Sequence, residues 1–356
     1  MRPTVKDVAT RAGVSPKTVS NVIHGRVYVR PETRERVERA LSDLDYVPNL
    51  VARGLRSGRY GLIALALPDL STAYSAELAH HFVEEGHARG WGVQVEETAA
   101  EPHREVELLS RARSQLVDGL VLNPVSLEDS VVADHVGVGR APLPPTVLIG
   151  EVVQDRTDQV GVDSVAAARD MTAHLLATGR RRVAVVGAPG LMETAAARQR
   201  TEGYRRALVD AGVPHDPRLE IPAAAWTTQD AVAAVTAFLD REALPDAFFC
   251  FTDSMALGVL GLLWQRGVRV PQDVAVAGFD DVGPARYAVP PLTTVAFDLR
   301  RFVATTLDLL ADRIEDRARA PRHVLVPHRV VVRESTGGAA AGSVGAAGAA
   351  AALAEG

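Results

Sequence analysis

A single cysteine, two lysines and no long apolar run are the scarcities of this 356-residue chain. One cysteine excludes a disulfide framework within the chain. That residue, Cys250, lies in the apolar run AFFCF (247–251), the setting of a buried structural thiol rather than of a nucleophile. No apolar stretch approaches the roughly 18 residues that a membrane-spanning helix requires, so no membrane partner is expected. Met1 leads straight into polar, charged sequence, so no secretory leader is expected and the cytoplasm is the expected compartment. Both lysines, Lys6 and Lys17, fall near the start, and the rest of the positive charge is arginine.

A composition of 47% hydrophobic and 23% charged residues is that of a globular protein, and the length exceeds what one ordinary core absorbs. A small module with one or two larger lobes is the expectation. The formal charge of −5 hides an asymmetry. Residues 1–60 hold twelve Lys or Arg against six Asp or Glu, about +6, which leaves about −11 for the remainder. A basic end on an acidic body suits a polyanion partner for that end alone; the alternative is a solvated charged surface.

Val5, Val8, Ala9 and Ala12 follow the i, i+3, i+4, i+7 spacing of a short amphipathic helix that Gly13 ends. Ser15 can cap a second helix with Pro16 at its first position and Val19, Val22 and Ile23 on its buried face. Lys17, Thr18, Ser20, Asn21 and His24 are left outside. Pro31 opens a third helix whose Val37, Ala40, Leu41 and Leu44 face inward. Residues 48–59, PNLVARGLRSGR, read as a linker with a helical turn or two from Asn49 to Leu55.

From Tyr60 the pattern changes to apolar strands alternating with helices. Strands are predicted at 61–67, 92–97, 119–123 and 146–150, then at 182–187, 247–251 and 274–279. Helices are predicted near 75–89, 103–116, 165–178, 196–211, 228–240 and 253–266. Such alternation implies parallel sheets wound with helices on both faces, and two series imply two lobes. The fold class is thus an all-α helix-turn-helix domain followed by a two-lobed α/β body with two doubly wound parallel sheets. The predicted boundaries are 1–47 for the helical domain, 48–59 for the hinge helix and linker, 60–336 for the two-lobed domain, and 337–356 for a disordered Ala/Gly-rich tail.

The helix, glycine turn and helix of residues 5–24 has the helix-turn-helix pattern in which the second helix enters the major groove of DNA. A short bundle without a nucleic-acid role is the alternative, but polar residues crowd the outer face of that second helix. On VKDVATRAGVSPKTVSNVIHG, TRERVERALSDLDYVPNLVARGL, FTDSMALGVL, VAVAGFDD and PPLTTV, in that order, the chain resembles transcription regulators of the lactose-repressor/galactose-repressor (LacI/GalR) family. The quoted segments span most of residues 4–297.

The resemblance implies a cytoplasmic homodimer, without enzymatic activity or cofactor, that represses from a near-palindromic operator. It also implies that Pro16, Lys17 and Asn21 read bases while Ser15, Thr18, Ser20 and His24 face phosphates. Lysine can donate to guanine and asparagine can pair with adenine, the chemistry such positions need. Leu55 matches the leucine that the family wedges into the minor groove, with Asn49, Ala52 and Arg53 on the same hinge; a solvated tether is the alternative for this segment. The two-lobed body would be of the periplasmic-binding-protein type, dimerising and holding a small effector, a sugar by resemblance, in the crevice at the carboxyl ends of the strands. Its expected contacts are Tyr74, Ser75, Asn123, Arg198, Trp226, Thr252, Asp280 and Phe297. Core packing for Trp226 and a turn-capping role for Asp280 are the alternatives.

Four positions depart from the family pattern. Gly150 stands where several sugar-binding members carry aspartate, Thr252 where asparagine is common and Phe297 where a polar residue often occurs, which leaves a non-sugar effector open. Arg30 replaces the usual Ser or Thr type cap before Pro31. VAVVGAPG (183–190) lacks the G-x-G-x-x-G spacing of a dinucleotide turn. His80, Glu84 and His87 share a helical face but read as exposed polar residues, so no metal site is predicted. A transport solute-binding protein or a sugar-modifying enzyme are the rival classes.

Overall fold

A computed structural model of the chain describes residues 3–24, 27–46, 59–113, 117–125, 144–152, 154–190 and 194–337, with the side chains of 24 and 110–113 excepted. The hinge positions Asn49, Ala52, Arg53 and Leu55 and the tail from 338 onward lie outside the described residues. The chain divides into two compact units, Met1–Tyr60 and Gly61–Gly356.

The first unit contains α1 (Val5–Ala12), α2 (Pro16–His24) and α3 (Pro31–Asp43). A capping box starts α1: Thr4 Oγ1 accepts from Asp7 N–H, and the Asp7 carboxylate accepts from Thr4 N–H at 2.8 Å. Gly13 ends it in the left-handed conformation at φ 63°, donating its N–H to the Ala9 and Thr10 carbonyls. Ser15 caps α2 by accepting from Thr18 N–H at 3.1 Å. Arg30 leaves the start of α3 without a side-chain cap, and Pro31 supplies the helical φ instead. Val8, Val19 and Val37, one from each helix, are fully buried at the centre. Each contributes about 1.5–3 kcal/mol, which matters in a unit too small for a large core.

In the second unit the first lobe begins with β1 (Leu62–Leu67), α4 (Ala73–Ala88), β2 (Gly92–Glu97), α5 (Pro102–Arg113), β3 (Gly119–Leu122), β4 (Thr146–Ile149) and β5 (Asp158–Gly161). The second lobe holds α6 (Ser164–Ala177), β6 (Val183–Ala188), α7 (Ala195–Asp210), β7 (Glu220–Pro222), α8 (Thr228–Leu239), β8 (Ala247–Cys250), α9 (Asp253–Gln265), β9 (Ala275–Phe279), α10 (Gly283–Tyr287) and β10 (Thr293–Phe297). The chain then returns to the first lobe for α11 (Leu299–Glu315) and β11 (His323–Leu325), and ends in the second with β12 (His328–Val331).

Each lobe has a six-stranded sheet, in the orders β11-β5-β4-β3-β1-β2 and β12-β10-β9-β8-β6-β7. Among the described residues every pairing is parallel except β10 with β12, so both sheets are the parallel-dominated kind expected, with one antiparallel edge in the second. The central strands β3, β4, β6, β8 and β9 are buried along their whole length, as continuous apolar runs covered on both faces require. Cys250 is fully buried at the end of β8, and burial pushes its thiol pKa up, which suits the structural role. Three crossings join the lobes: after β5, between β10 and α11, and between β11 and β12. Among the described helices none is long and apolar enough to cross a membrane.

Candidate functional site

On the first unit, Ser15, Pro16 and Lys17 are exposed at the start of α2, and Thr18, Ser20 and Asn21 are half-buried along it. Val19 and Val22, on the opposite face, are buried against α1 and α3. The 3.6-residue period thus divides α2 into an anchoring stripe and a polar stripe with Lys17 as its cation. No described group of His, Cys, Asp and Glu gathers into a metal site, and His80 lies beside His81 with ring centroids 5.3 Å apart.

On the second unit, a cavity of about 410 Å³ lies between the lobes at the carboxyl ends of both sheets. Tyr74, Ser75, Asn123, Trp226, Thr252, Asp280 and Phe297 all line it. Tyr74 and Ser75 stand in the first turn of α4, where Thr72 caps the helix by accepting from Ser75 N–H. Asn123 follows β3, Asp280 follows β9 and Phe297 ends β10, so strand ends carry most of the polar and aromatic wall. Thr252 caps α9 through its side chain, accepting from Met255 N–H at 3.2 Å. Phe297 lies edge-on to Tyr74, with centroids 6.3 Å apart, and Trp226 edge-on to Phe251 at 6.0 Å.

Arg198 is not in the lining, and Arg200 is. The correction follows from helical geometry. The buried positions of α7 include Ala197, Arg200, Thr201, Gly203, Tyr204, Ala207 and Leu208, whereas Arg198 is exposed. Two residues along a helix are about 200° apart, so Arg198 and Arg200 cannot share a face. Gly203 fixes the register, because a Cβ there would stand 2.2 Å from the Val165 carbonyl of α6.

Arg200 is 6% exposed. Its guanidinium carbon lies 3.6 Å from the Phe279 ring centroid and 5.2 Å from that of Trp226. Its Nη1 donates to the Phe251 carbonyl, and its Nη2 pairs at 3.2 Å with Glu151 of the first lobe. Glu151 also accepts from Ser164 Oγ at 2.8 Å, and its carbonyl accepts from Gln199 Nε2 at 2.9 Å. The sequence signal for the role of Glu151 is an acidic side chain two residues after the end of β4. Gly150 itself sits at φ 97°, and a Cβ there would stand 2.8 Å from Asn123 Oδ1. A side chain at 150 would displace a cavity residue, which accounts for glycine there.

Burial, then the nearby Asp253 and Glu151 charges, push the Asp280 carboxyl well above its ordinary range, against the opposing pull of Arg200. Burial also pushes up the Tyr74 phenol, with Asp280 and Glu151 adding to it. The wall thus offers guanidinium, carboxyl, amide and hydroxyl groups facing aromatic rings. Beneath it Asp253, fully buried, accepts from Thr294 Oγ1 at 2.6 Å and from Val282 N–H at 3.0 Å. Burial raises its pKa to about 7 despite those two bonds.

Two family models match the chain: bacterial regulatory proteins of the lacI family over residues 4–49, and a periplasmic binding protein-like domain over residues 172–336. The chain is similar to the HTH-type transcriptional regulator CelR of Thermobifida fusca, 34% identical over 347 residues that cover 94% of this chain and 98% of that protein. Among solved structures, the CelR–cellobiose complex matches with a TM-score of 0.68 and 32% identity, covering 94% of this chain and all of that one. The lac repressor dimer bound to operator and the anti-inducer ONPF matches with a TM-score of 0.78 and 26% identity, covering 94% of this chain and 99% of that one.

Proposed function

Because the chain belongs to the LacI family of bacterial regulatory proteins, we propose that it is a cytoplasmic repressor that binds a near-palindromic operator as a homodimer and is controlled by a sugar in the interlobe cavity. It is a sequence-specific DNA-binding transcription regulator. The reading gives Pro16, Lys17 and Asn21 the bases, and Ser15, Thr18, Ser20 and His24 the phosphates. Asn49, Ala52, Arg53 and Leu55 form the hinge, with Leu55 the minor-groove wedge. The domain boundaries are 1–47, 48–59, 60–336 and 337–356. The relatives named above are regulators, which supports a binding rather than a catalytic role.

The observation that carries the effector reading is the cavity wall, in which Arg200 stacks on Phe279 and meets Glu151 beside Asp280, Asn123 and Trp226. Hydroxyl-rich ligands need such paired donors and acceptors, and sugar rings need apolar faces to lie against. The cavity is also of ordinary small-molecule size, within about 300–1,000 Å³. The complex of CelR with cellobiose supports a sugar as the class. Effector in the cleft favours one lobe arrangement and thereby shifts operator affinity. A coupling of about 1–3 kcal/mol, roughly 5- to 150-fold, is enough for regulation. A thermal-shift screen of sugars and other metabolites, repeated with operator DNA, tests the reading. Stabilisation by a sugar that changes in the presence of operator is expected; stabilisation only by unrelated metabolites contradicts the sugar class.

A further inference from the structure

One carboxylate on α4 of the first lobe reaches across to the second lobe outside the cavity lining. Glu77 Oε1 accepts from Gly283 N–H at 2.6 Å. Gly283 is the first residue of α10, where backbone N–H groups have no acceptor within the helix. A Cβ at 283 would stand 3.2 Å from the same Oε1, tighter than most such contacts, so a side chain there would press the carboxylate back by a few tenths of an ångström.

The residue before it is held from the other side, since Val282 N–H donates to Asp253 of its own lobe. Adjacent N–H groups are thus taken by carboxylates from opposite lobes. The turn leading into them begins with Asp280 at φ 120° and Asp281 at φ 56°, both in a region that residues other than glycine seldom occupy. Such backbone persists only where its surroundings over-determine it. Asp281 is pinned in turn by Arg333 and Arg286. Asp280 faces the cavity, and Glu77 lies one turn along α4 from the cavity residue Tyr74.

We propose that Glu77 is a positioning residue that latches the two lobes to each other, coupling the turn Asp280–Gly283 of the second lobe to helix α4 of the first. A ligand that shifts Asp280 then shifts Gly283, and with it α4, through one hydrogen bond. The bond itself is independent of what fills the cavity; its part in the response rests on the effector reading above.

The test uses the full chain carrying Glu77→Ala, Glu77→Gln, Gly283→Ala, or Glu77→Ala with Gly283→Ala. In the absence of ligand, Glu77→Ala should raise amide hydrogen exchange roughly tenfold in both 281–287 and 73–80, as loss of a bond to a charged acceptor implies. Glu77→Gln keeps an acceptor and should remain within about twofold of wild type, which a merely structural loss would not produce. Gly283→Ala keeps the N–H but crowds the acceptor, so it should fall between wild type and Glu77→Ala, and the double variant should match Glu77→Ala. Unchanged exchange in Glu77→Ala, or additive effects in the double variant, overturns the latch. Operator binding with and without cellobiose separates the two ideas. A wild type that responds while Glu77→Ala responds several-fold less supports the coupling, and equal responses refute it. A wild type indifferent to cellobiose bears on the effector reading alone, with the exchange data deciding the latch.

Discussion

Replacing Arg200 with methionine removes the one cation among the described residues of the cavity wall. Its guanidinium is engaged by the Phe251 carbonyl and Glu151 and stacked on Phe279, all at 6% exposure. Removing one partner of a buried pair costs about 3–5 kcal/mol, because the other is left desolvated and unpaired. Glu151 keeps its bond from Ser164 and is 16% exposed at the side chain, so the lower end, about 3 kcal/mol, is expected for unfolding of the second unit. Adding Glu151→Gln removes the stranded charge and should restore at least half of that loss. Effector affinity should not follow stability. A hydrogen bond from a charged donor contributes about 1.5–3 kcal/mol, so both Arg200→Met and the double variant should bind the sugar roughly 10- to 150-fold more weakly by calorimetry. Arg198→Ala is the control on the same helix. At an exposed position it should change affinity by no more than about 0.5 kcal/mol. A double variant that binds as tightly as wild type, or loss of binding in Arg198→Ala, would refute the placement of the effector against Arg200.

Lys17→Ala, motivated by the exposed cation on the polar stripe of α2, should cost about 1–3 kcal/mol at one base pair and relax preference there, read from a selected-site profile. An unchanged profile would count against base reading by Lys17. Leu55→Ala should lose the high-affinity operator complex and keep weak non-specific binding in gel-shift titrations, since unstacking a base step through the wedge is what bends the site. Asp253→Asn tests the buried carboxyl. Its folded pKa of about 7 exceeds the ordinary 3.8, so the folded state holds the proton more tightly and wild-type stability falls as pH rises from about 4 to about 7. Relative to wild type, the variant should therefore gain on the order of 1–3 kcal/mol across that window in denaturant titrations; a pH-independent difference would rule out titration of Asp253.

The elements with strong periodicity were legible without coordinates. The three valines that centre the first unit, the capping serine before Pro16, and seven strands with their intervening helices all follow from apolar spacing and turn residues. What escaped is instructive. β5 (DQVG), β7 (EIP) and β12 (HRVV) are too short or too polar to announce themselves, and they are strands because a neighbouring edge pairs with them. α11 does carry Phe302, Val303, Leu307 and Leu310 at helical spacing, but the return of that helix to the first lobe depends on contacts remote in sequence. In the cavity, strand ends bring Asn123, Asp280 and Phe297 to one wall, while Arg198 lies outside the lining and Arg200, two residues on, lies within it. The RxxGY spacing distinguishes the two, because of these arginines Arg200, three before the packing glycine, is the one on the buried face. Glu77 left no mark in the sequence at all, since its partner is a backbone N–H 206 residues away.

The central claim is that a sugar in the cavity between the lobes sets the affinity of α2 for one DNA sequence. The measurement closest to it is fluorescence anisotropy of the full chain on an operator selected from a random pool, titrated at fixed salt with and without the sugar that stabilises it. An affinity that changes at least about fivefold with sugar, and loses that change in the Arg200→Met, Glu151→Gln variant, is the predicted result. Equal operator affinity with and without every stabilising sugar would contradict it.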